Sequence, residues 1–339
     1  MRFLVTGGAG YIGSVLLGEL LRAGHEVICL DRLFFGEEPI REYLGNPRFK
    51  LVKDDIRWFD PSILKGVDVV VDLAALSNDP SGELNPAKTY DINYIGRMRV
   101  ARLSREYGVK RYIFASTCSV YGFQPGILNE SSPLNPLTTY AKSAALAERD
   151  LLPMASSDFT VTILRFATAY GLSPRMRFDL AINGMVLSLY KTGRIRVMRD
   201  GTQWRPFVHI KDIAKAVMLI SEADRDLVNG EIFNVGSNEQ NYQILPLAKM
   251  IGDAIGEPYE IEWYGDPDRR SYRVDFSKIK RTLGFTPKYT PREAAVEIYN
   301  ALEKGIVSDT LKTFTVKWYK HLLEAYELVK RVAVRDTIL

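Results

Sequence analysis

Three glycines, Gly7, Gly10 and Gly13, stand three apart in Thr6-Gly7-Gly8-Ala9-Gly10-Tyr11-Ile12-Gly13. That spacing suits a backbone wrapping a diphosphate. The first glycine permits a tight turn, the second lets a pyrophosphate approach the chain, and the third lets a helix pack on a strand. A helix opening at this point aims free N–H groups and its positive dipole end at the anion. Asp31 follows Gly13 by eighteen residues. A carboxylate there accepts from adenosine ribose hydroxyls and repels a 2′-phosphate, so the dinucleotide expected is NAD rather than NADP. Asp55, in Asp54-Asp55-Ile56, is the expected acceptor for an adenine amino group. Tyr11, Ile12, Arg32 and Ile56 complete this first set of expected cofactor contacts.

These residues need elements to hold them. Phe3-Leu4-Val5 is a short apolar run stopped by Gly7-Gly8, and Tyr11 to Arg22 has helical spacing of apolar residues. Further apolar runs at Glu26–Leu30, Phe49–Val52, Val67–Leu73, Arg111–Ser116 and Val161–Phe166 alternate with helices predicted at Lys88–Tyr107 and Tyr140–Leu152. The alternation predicts an α/β fold, a doubly wound parallel (Rossmann) sheet covered on both faces. After Gly171 shorter elements follow, broken by Ser173-Pro174, Gly193, Gly256–Pro258, Gly265–Pro267 and Pro287–Pro291. They predict a smaller C-terminal α/β substrate domain. The expected division is a cofactor domain over 1–171 plus 205–236, a substrate domain over 172–204 plus 237–310, and a C-terminal helical segment over 311–339. Val208–Val217 and Ile232–Val235 are expected to return to the main sheet.

Composition excludes several classes. Lysine and arginine (45) exceed aspartate and glutamate (41) by only four, with no long single-sign run. No nucleic-acid surface is expected. No apolar run reaches membrane-spanning length, the glycine loop begins at once, and the cytoplasm is the expected location. Cys29 and Cys118 read as buried thiols, and His25, His209 and His321 lack metal-ligand spacing.

At Ser116-Thr117-Cys118-Ser119-Val120-Tyr121-Gly122 and Tyr140-Ala141-Lys142-Ser143 the chain resembles the extended short-chain dehydrogenase/reductase family. It is most similar to the nucleotide-sugar epimerases and dehydratases of the UDP-galactose 4-epimerase type. Leu73-Ala74-Ala75, Asn93, Leu164-Arg165-Phe166 and Arg205–Asp212 extend the likeness to about Gly284. The resemblance implies that Leu73, Ala74, Ala75, Asn93, Ala115, Tyr140 and Phe166 also meet the cofactor. It implies that Thr117 bonds the reacting sugar hydroxyl while Tyr140 takes its proton. A phenol, with pKa near 10, needs help to do so at neutral pH. A diphosphate substrate calls for arginine donors, so Arg205 and Arg270 are expected substrate contacts, with Asn183 and Ser77 beside them.

The family's lysine, four residues after the tyrosine, is here Ala144. Lys142 does not replace it, because i+2 lies on the opposite helix face whereas i+4 lies about 40° from the tyrosine. Two explanations stay open: a substitution made to trap a complex, or a natural chain with altered chemistry. Either way the expectation is binding with slow turnover, relieved by Ala144→Lys. The acidic pair that dehydratases carry after the threonine is replaced by Cys118 and Ser119, which disfavours water elimination, and the usual asparagine after the sixth strand is Thr168. The leading expectation is a 4-epimerase of a nucleotide-diphosphate sugar. Alternatives are a dehydrogenase or ketoreductase of the same substrates, and an NAD-binding regulator without catalysis. A homodimer is expected, packed through Ile92, Ile95, Leu146 and Leu151 on the two long helices.

Overall fold

The computed structural model describes residues 1–266, 270–333 and 337. The chain opens with β1 (Arg2–Thr6), α1 (Gly13–Arg22), β2 (Glu26–Asp31), β3 (Phe49–Lys53) and β4 (Val69–Asp72). Then come α2 (Asp79–Gly82), α3 (Pro86–Tyr90), α4 (Arg97–Glu106), β5 (Arg111–Thr117), the short β6 (Ile127–Leu128), α5 (Thr139–Leu151), β7 (Thr160–Phe166) and β8 (Thr168–Tyr170). The second half carries α6 (Ala181–Thr192), β9 (Arg194–Met198), β10 (Trp204–His209), α7 (Ile210–Glu222), α8 (Arg225–Val228) and β11 (Glu231–Val235). It ends with β12 (Asn241–Gln243), α9 (Ile244–Ile255), β13 (Glu260–Tyr264), β14 (Arg273–Val274), α10 (Ser277–Leu283), α11 (Pro291–Glu303) and α12 (Thr315–Val332).

Seven parallel strands form the main sheet in the order β11-β7-β5-β4-β1-β2-β3. Strand order reverses beside β1, and that reversal opens a crevice outside the strands' C-terminal ends. Strands buried on both faces read as continuous apolar runs, and β4 (Val-Val-Val-Asp) is buried throughout. Leu16, Leu17 and Leu20 of α1 pack on one face with Ile213 and Val217 of α7. Val100, Ala147 and Leu151 of α4 and α5 pack on the other. Each such buried leucine contributes roughly 1.5–3 kcal/mol.

A separate core lies among α6, α9 and α11, around Ile182, Val186, Leu247 and Ile298. It carries the small β9–β13 pair. The expectation for Val208–Val217 needs correction. β10 pairs with β8 and β12 in a three-stranded sheet, and the chain becomes helical at Ile210. Only Ile232–Val235 joins the main sheet. The long helix predicted from Lys88 is also not regular: Asp91–Gly96 winds as a π-type turn between α3 and α4. Leu151, expected at a subunit interface, is fully buried in its own core, whereas Ile95 is 58% exposed. No described helix is long and apolar enough to cross a membrane.

Candidate active site

The crevice is a cleft of about 950 Å³ between the main sheet and the smaller unit. Gly7 and Gly13 form one end. At Gly7, φ is +68° and a Cβ would meet the Ala74 backbone at 2.9 Å; at Gly13 it would meet the Gly7 carbonyl oxygen at 2.4 Å. A side chain would fill either position, so the loop stays open to a ligand through its backbone. Asp31 holds the loop's shape: its carboxylate accepts from Ala9 N (3.0 Å) and Leu33 N (2.7 Å). Burial pushes its pKa up, against those two N–H groups and nearby Arg175.

Arg175 faces this end of the cleft from the segment before α6. It is 5% exposed and stacks over Phe35 at 3.6 Å from the ring centroid. Nη2 donates to Thr315 (3.0 Å), but buried Nε and Nη1 have no partner among the described residues. Burial, then neighbouring Arg177, pulls its pKa down to about 9. A charged group left so is costly unless a ligand supplies acceptors. Orphaned guanidinium donors beside a glycine cradle suit the diphosphate of a dinucleotide. Tyr319 of α12 packs on Phe34 and Phe35, and Trp318 Nε1 donates to the Phe34 carbonyl (2.5 Å), so α12 walls this end.

At the other end, Thr117 closes β5. Its Oγ accepts from Ser119 N (3.1 Å), and its hydroxyl shares this end of the cleft with the Tyr140 phenol. Tyr140 stands in the first turn of α5, whose start is tied down from two sides. Thr138 caps it (Ala141 N, 3.2 Å) and donates to Asp79 (2.6 Å), while Thr139 N donates to Glu83 (2.7 Å). Burial raises the Tyr140 pKa, the neighbouring Thr117 hydroxyl lowers it, Asp79 raises it, and Arg97 and Arg177 lower it. Ala144 is buried one turn on, and Lys142 is exposed on the far side, as the helix geometry requires.

Of the expected cofactor residues, Gly7, Gly10, Tyr11, Ile12, Gly13, Asp31, Arg32, Asp55, Ile56, Leu73, Ala74, Ala75, Ala115, Tyr140 and Phe166 line the cleft. So do Ser77, Thr117, Arg205 and Arg270 from the substrate set. Two asparagines do not. Asn93 is 2% exposed and clamps the loop after β4 by accepting from Leu76 N (2.8 Å) and donating to Leu76 O (3.2 Å). Asn183 is fully buried; its amide donates to Tyr11 (2.9 Å) and Arg177 O (2.8 Å), and its carbonyl accepts from Gly171 N (3.1 Å). Both are buried outside the cleft lining and spend these bonds on the protein's own groups. Asp55 needs a similar correction. Its carboxylate takes Arg57 N, Nε and Nη2 and Arg32 Nη1, all at 2.9 Å, which fills its acceptor sites. An adenine amino group would have to displace an arginine.

Arg175, Arg177 and Asp179 escaped sequence reasoning, whereas Asn78, expected with Ser77 at the sugar pocket, lines the cleft. Arg177 bonds Ser77 (3.3 Å) and pairs with Asp179 (2.9 Å), which accepts from Asn78 (3.0 Å). Asn78 itself has φ +126°, a conformation rare for a side-chain-bearing residue, beside the cleft. The signal was present: Arg175 and Arg177 alternate with apolar Met176 and Phe178. Arg270 pairs with Asp79, and Arg205 donates to the carbonyls of Trp204 (2.8 Å) and Arg270. Asp268 and Arg269, next to it, lie outside the described residues, as does most of the chain after Ala333.

Residues 3–236 match the model of the NAD dependent epimerase/dehydratase family. The chain belongs to that family. Its relatives include the uncharacterized UDP-glucose epimerase YtcB of Bacillus subtilis (strain 168), 32% identical over 303 residues that cover 85% of this chain and 93% of that one. UDP-glucuronic acid decarboxylase 6 of Arabidopsis thaliana is 30% identical over 306 residues, 86% of each chain. The structure of MoeE5 in complex with UDP-glucuronic acid and NAD superposes with a TM-score of 0.79 at 27% identity, over 90% of this chain and 100% of that one. This family member is therefore an NAD-dependent enzyme of the nucleotide-sugar epimerase, dehydratase and decarboxylase group.

Proposed function

We propose that the protein is a nucleotide-sugar 4-epimerase. The observation that carries this reading is that Thr117 and Tyr140 line the same end of the cleft, with no carboxylate on the adjoining Cys118-Ser119 segment. A hydroxyl pair of this kind serves proton transfer at one sugar oxygen, and the segment offers no acid for eliminating water. NAD, when bound, would supply the hydride acceptor for C4 and the hydride for its return to the turned sugar. Tyr140 takes the 4-hydroxyl proton and gives it back, and Thr117 holds that oxygen in line. Gly7, Gly10, Gly13, Asp31 and Arg175 bind and orient the dinucleotide. Ser77, Arg205 and Arg270 hold the diphosphate sugar, with Thr168 in the space near its ring. YtcB, named as a UDP-glucose epimerase, supports this choice within the group. Residues 172–204 and 237–310 form the substrate domain in this reading. A homodimer through α4 and α5 would cover Ile95, and sedimentation at micromolar concentration tests it.

Product analysis after incubation with NAD and a panel of UDP-sugars, UDP-glucose and UDP-glucuronic acid first, tests the function. The C4 epimer with no accumulated NADH is expected. A released keto sugar with stoichiometric NADH would establish a dehydrogenase. A pentose product with loss of carbon dioxide would establish a decarboxylase. Binding without any product would favour a regulator.

A further inference from the structure

The wall around Tyr140 opposes a phenolate. Burial and the Asp79 carboxylate raise its pKa, and Ala144 leaves the next turn uncharged. The charged groups facing Tyr140 come from three neighbours: Asp79 on α2, Arg97 on α4 and Arg177 before α6. Arg177 is matched by Asp179 at 2.9 Å and held by the smaller unit. Arg97 is different. It is 3% exposed and sits on the interior face of α4, one turn before Val100 and Ala101 in the core. Its Nε donates to Asp72 Oδ2 (3.0 Å), and Nη2 donates to the carbonyls of Asp72 (2.5 Å) and Ala115 (2.9 Å). Its plane lies 3.8 Å from the Phe114 ring centroid. Nη1 makes no hydrogen bond among the described residues.

Asp72 alone does not account for an arginine here. Its carboxylate already accepts from Thr6 Oγ (2.5 Å) and the Tyr112 hydroxyl (2.5 Å), deep in the sheet. Arg97 lines the cleft with Ala115, Thr117 and Tyr140, and Asp72 does not. The cationic end of the pair is thus the end turned toward the reacting groups. Ala115 lies two residues before Thr117 on the same strand.

We propose that Arg97 is the positioning residue for Tyr140, fixing the end of β5 through the Ala115 carbonyl and placing on that wall the positive charge that residue 144 does not supply. This rests on the reading of Tyr140 as the base. The cation then comes from α4 instead of α5, so proton transfer is retained with alanine at 144, in place of the slow turnover expected from the sequence.

A substitution cycle tests it: Arg97→Gln, Ala144→Lys and both together, with Arg97→Lys and Tyr140→Phe beside them. The pH dependence of sugar conversion and the alkaline tyrosine absorbance titration of the free protein are the readouts. Arg97→Gln should move the Tyr140 transition up by about one unit and lower the neutral rate about tenfold. Ala144→Lys should recover most of both losses in the Arg97→Gln background, yet change the unaltered chain by no more than about twofold. Arg97→Lys should hold the transition within about half a unit. Because Arg97→Gln strands Asp72, the pair Asp72→Asn/Arg97→Gln removes both charges and should show the same shift. An unmoved transition in these folded variants, or no recovery by the lysine, would overturn the inference. If Tyr140→Phe keeps full activity, the reading of the base fails. If Tyr140→Phe is inactive and the transition still does not move, only the role of Arg97 fails.

Discussion

Glu148 on α5 and Arg165 on β7 form a buried ion pair, Nη2 to Oε2 at 2.6 Å, with Nε donating to both carboxylate oxygens at 3.0 and 3.1 Å. Ser116 on β5 donates to the same carboxylate. One side chain thus ties the helix carrying Tyr140 to the strand carrying Thr117. Removing it strands a buried guanidinium. Glu148→Ala should cost about 3–5 kcal/mol, and denaturant unfolding measures it. Glu148→Gln should cost less. A loss under about 1 kcal/mol for the alanine variant would show that the pair does not organise this part of the fold.

Arg175 predicts opposite effects on stability and on cofactor binding. Its buried, partly orphaned charge disfavours the folded chain at neutral pH, because burial pulls its pKa down to about 9 there, well below the ordinary arginine value of the unfolded chain. The unfolded state binds the proton more tightly, so the cost persists at every pH below the folded value. Arg175→Met should raise the melting midpoint of the free protein. It should weaken NAD binding about tenfold or more, since it removes charge-assisted bonds to the diphosphate. Calorimetric melting and an NAD titration check the two halves.

Asp31 is predicted to set cofactor choice. Asp31→Ala should weaken NAD binding by about tenfold and reduce the preference over NADP, because the carboxylate repels a 2′-phosphate. Competitive titration of the two dinucleotides decides it. An unaltered protein that prefers NADP would contradict the assignment.

His209 predicts acid sensitivity. It is fully buried, stacks on Tyr289 with ring centroids 4.6 Å apart, and caps α7 by accepting from Lys211 N at 3.1 Å. Burial, with Lys211 adding to it, lowers its pKa from 6.5 to about 3. The unfolded chain therefore takes up the proton first as pH falls. Stability present above about pH 6.5 should drain away between there and about pH 3, by on the order of a few kcal/mol. His209→Asn keeps a capping acceptor. Urea midpoints across that window should fall less steeply in the variant, and equal slopes would refute the assignment.

The glycine loop and the main sheet were legible because their signals are local: three glycines between a strand and a helix, and apolar runs of strand length. The smaller unit was harder, since β10 has the apolar look of a main-sheet strand and only its partners, β8 and β12, show otherwise. Asn93 and Asn183 misled for a related reason. Both are polar residues at cleft-forming elements, but each spends its amide on nearby backbone, a fact of tertiary packing. Arg97 was hidden in the other direction. It occupies an interior helix position that periodicity assigns to an apolar side chain, and its partner Asp72 lies twenty-five residues earlier.

The proposed chemistry is reversible oxidation at the sugar's C4 carbon, with Tyr140 and Thr117 handling the oxygen on it. A UDP-sugar deuterated at C4, turned over with unlabelled NAD, tests this most directly by mass and NMR analysis of the product. The expected product is the C4 epimer with deuterium still on C4 and no net NADH. Loss of the label to solvent, or its accumulation in reduced cofactor beside a keto sugar, would contradict it.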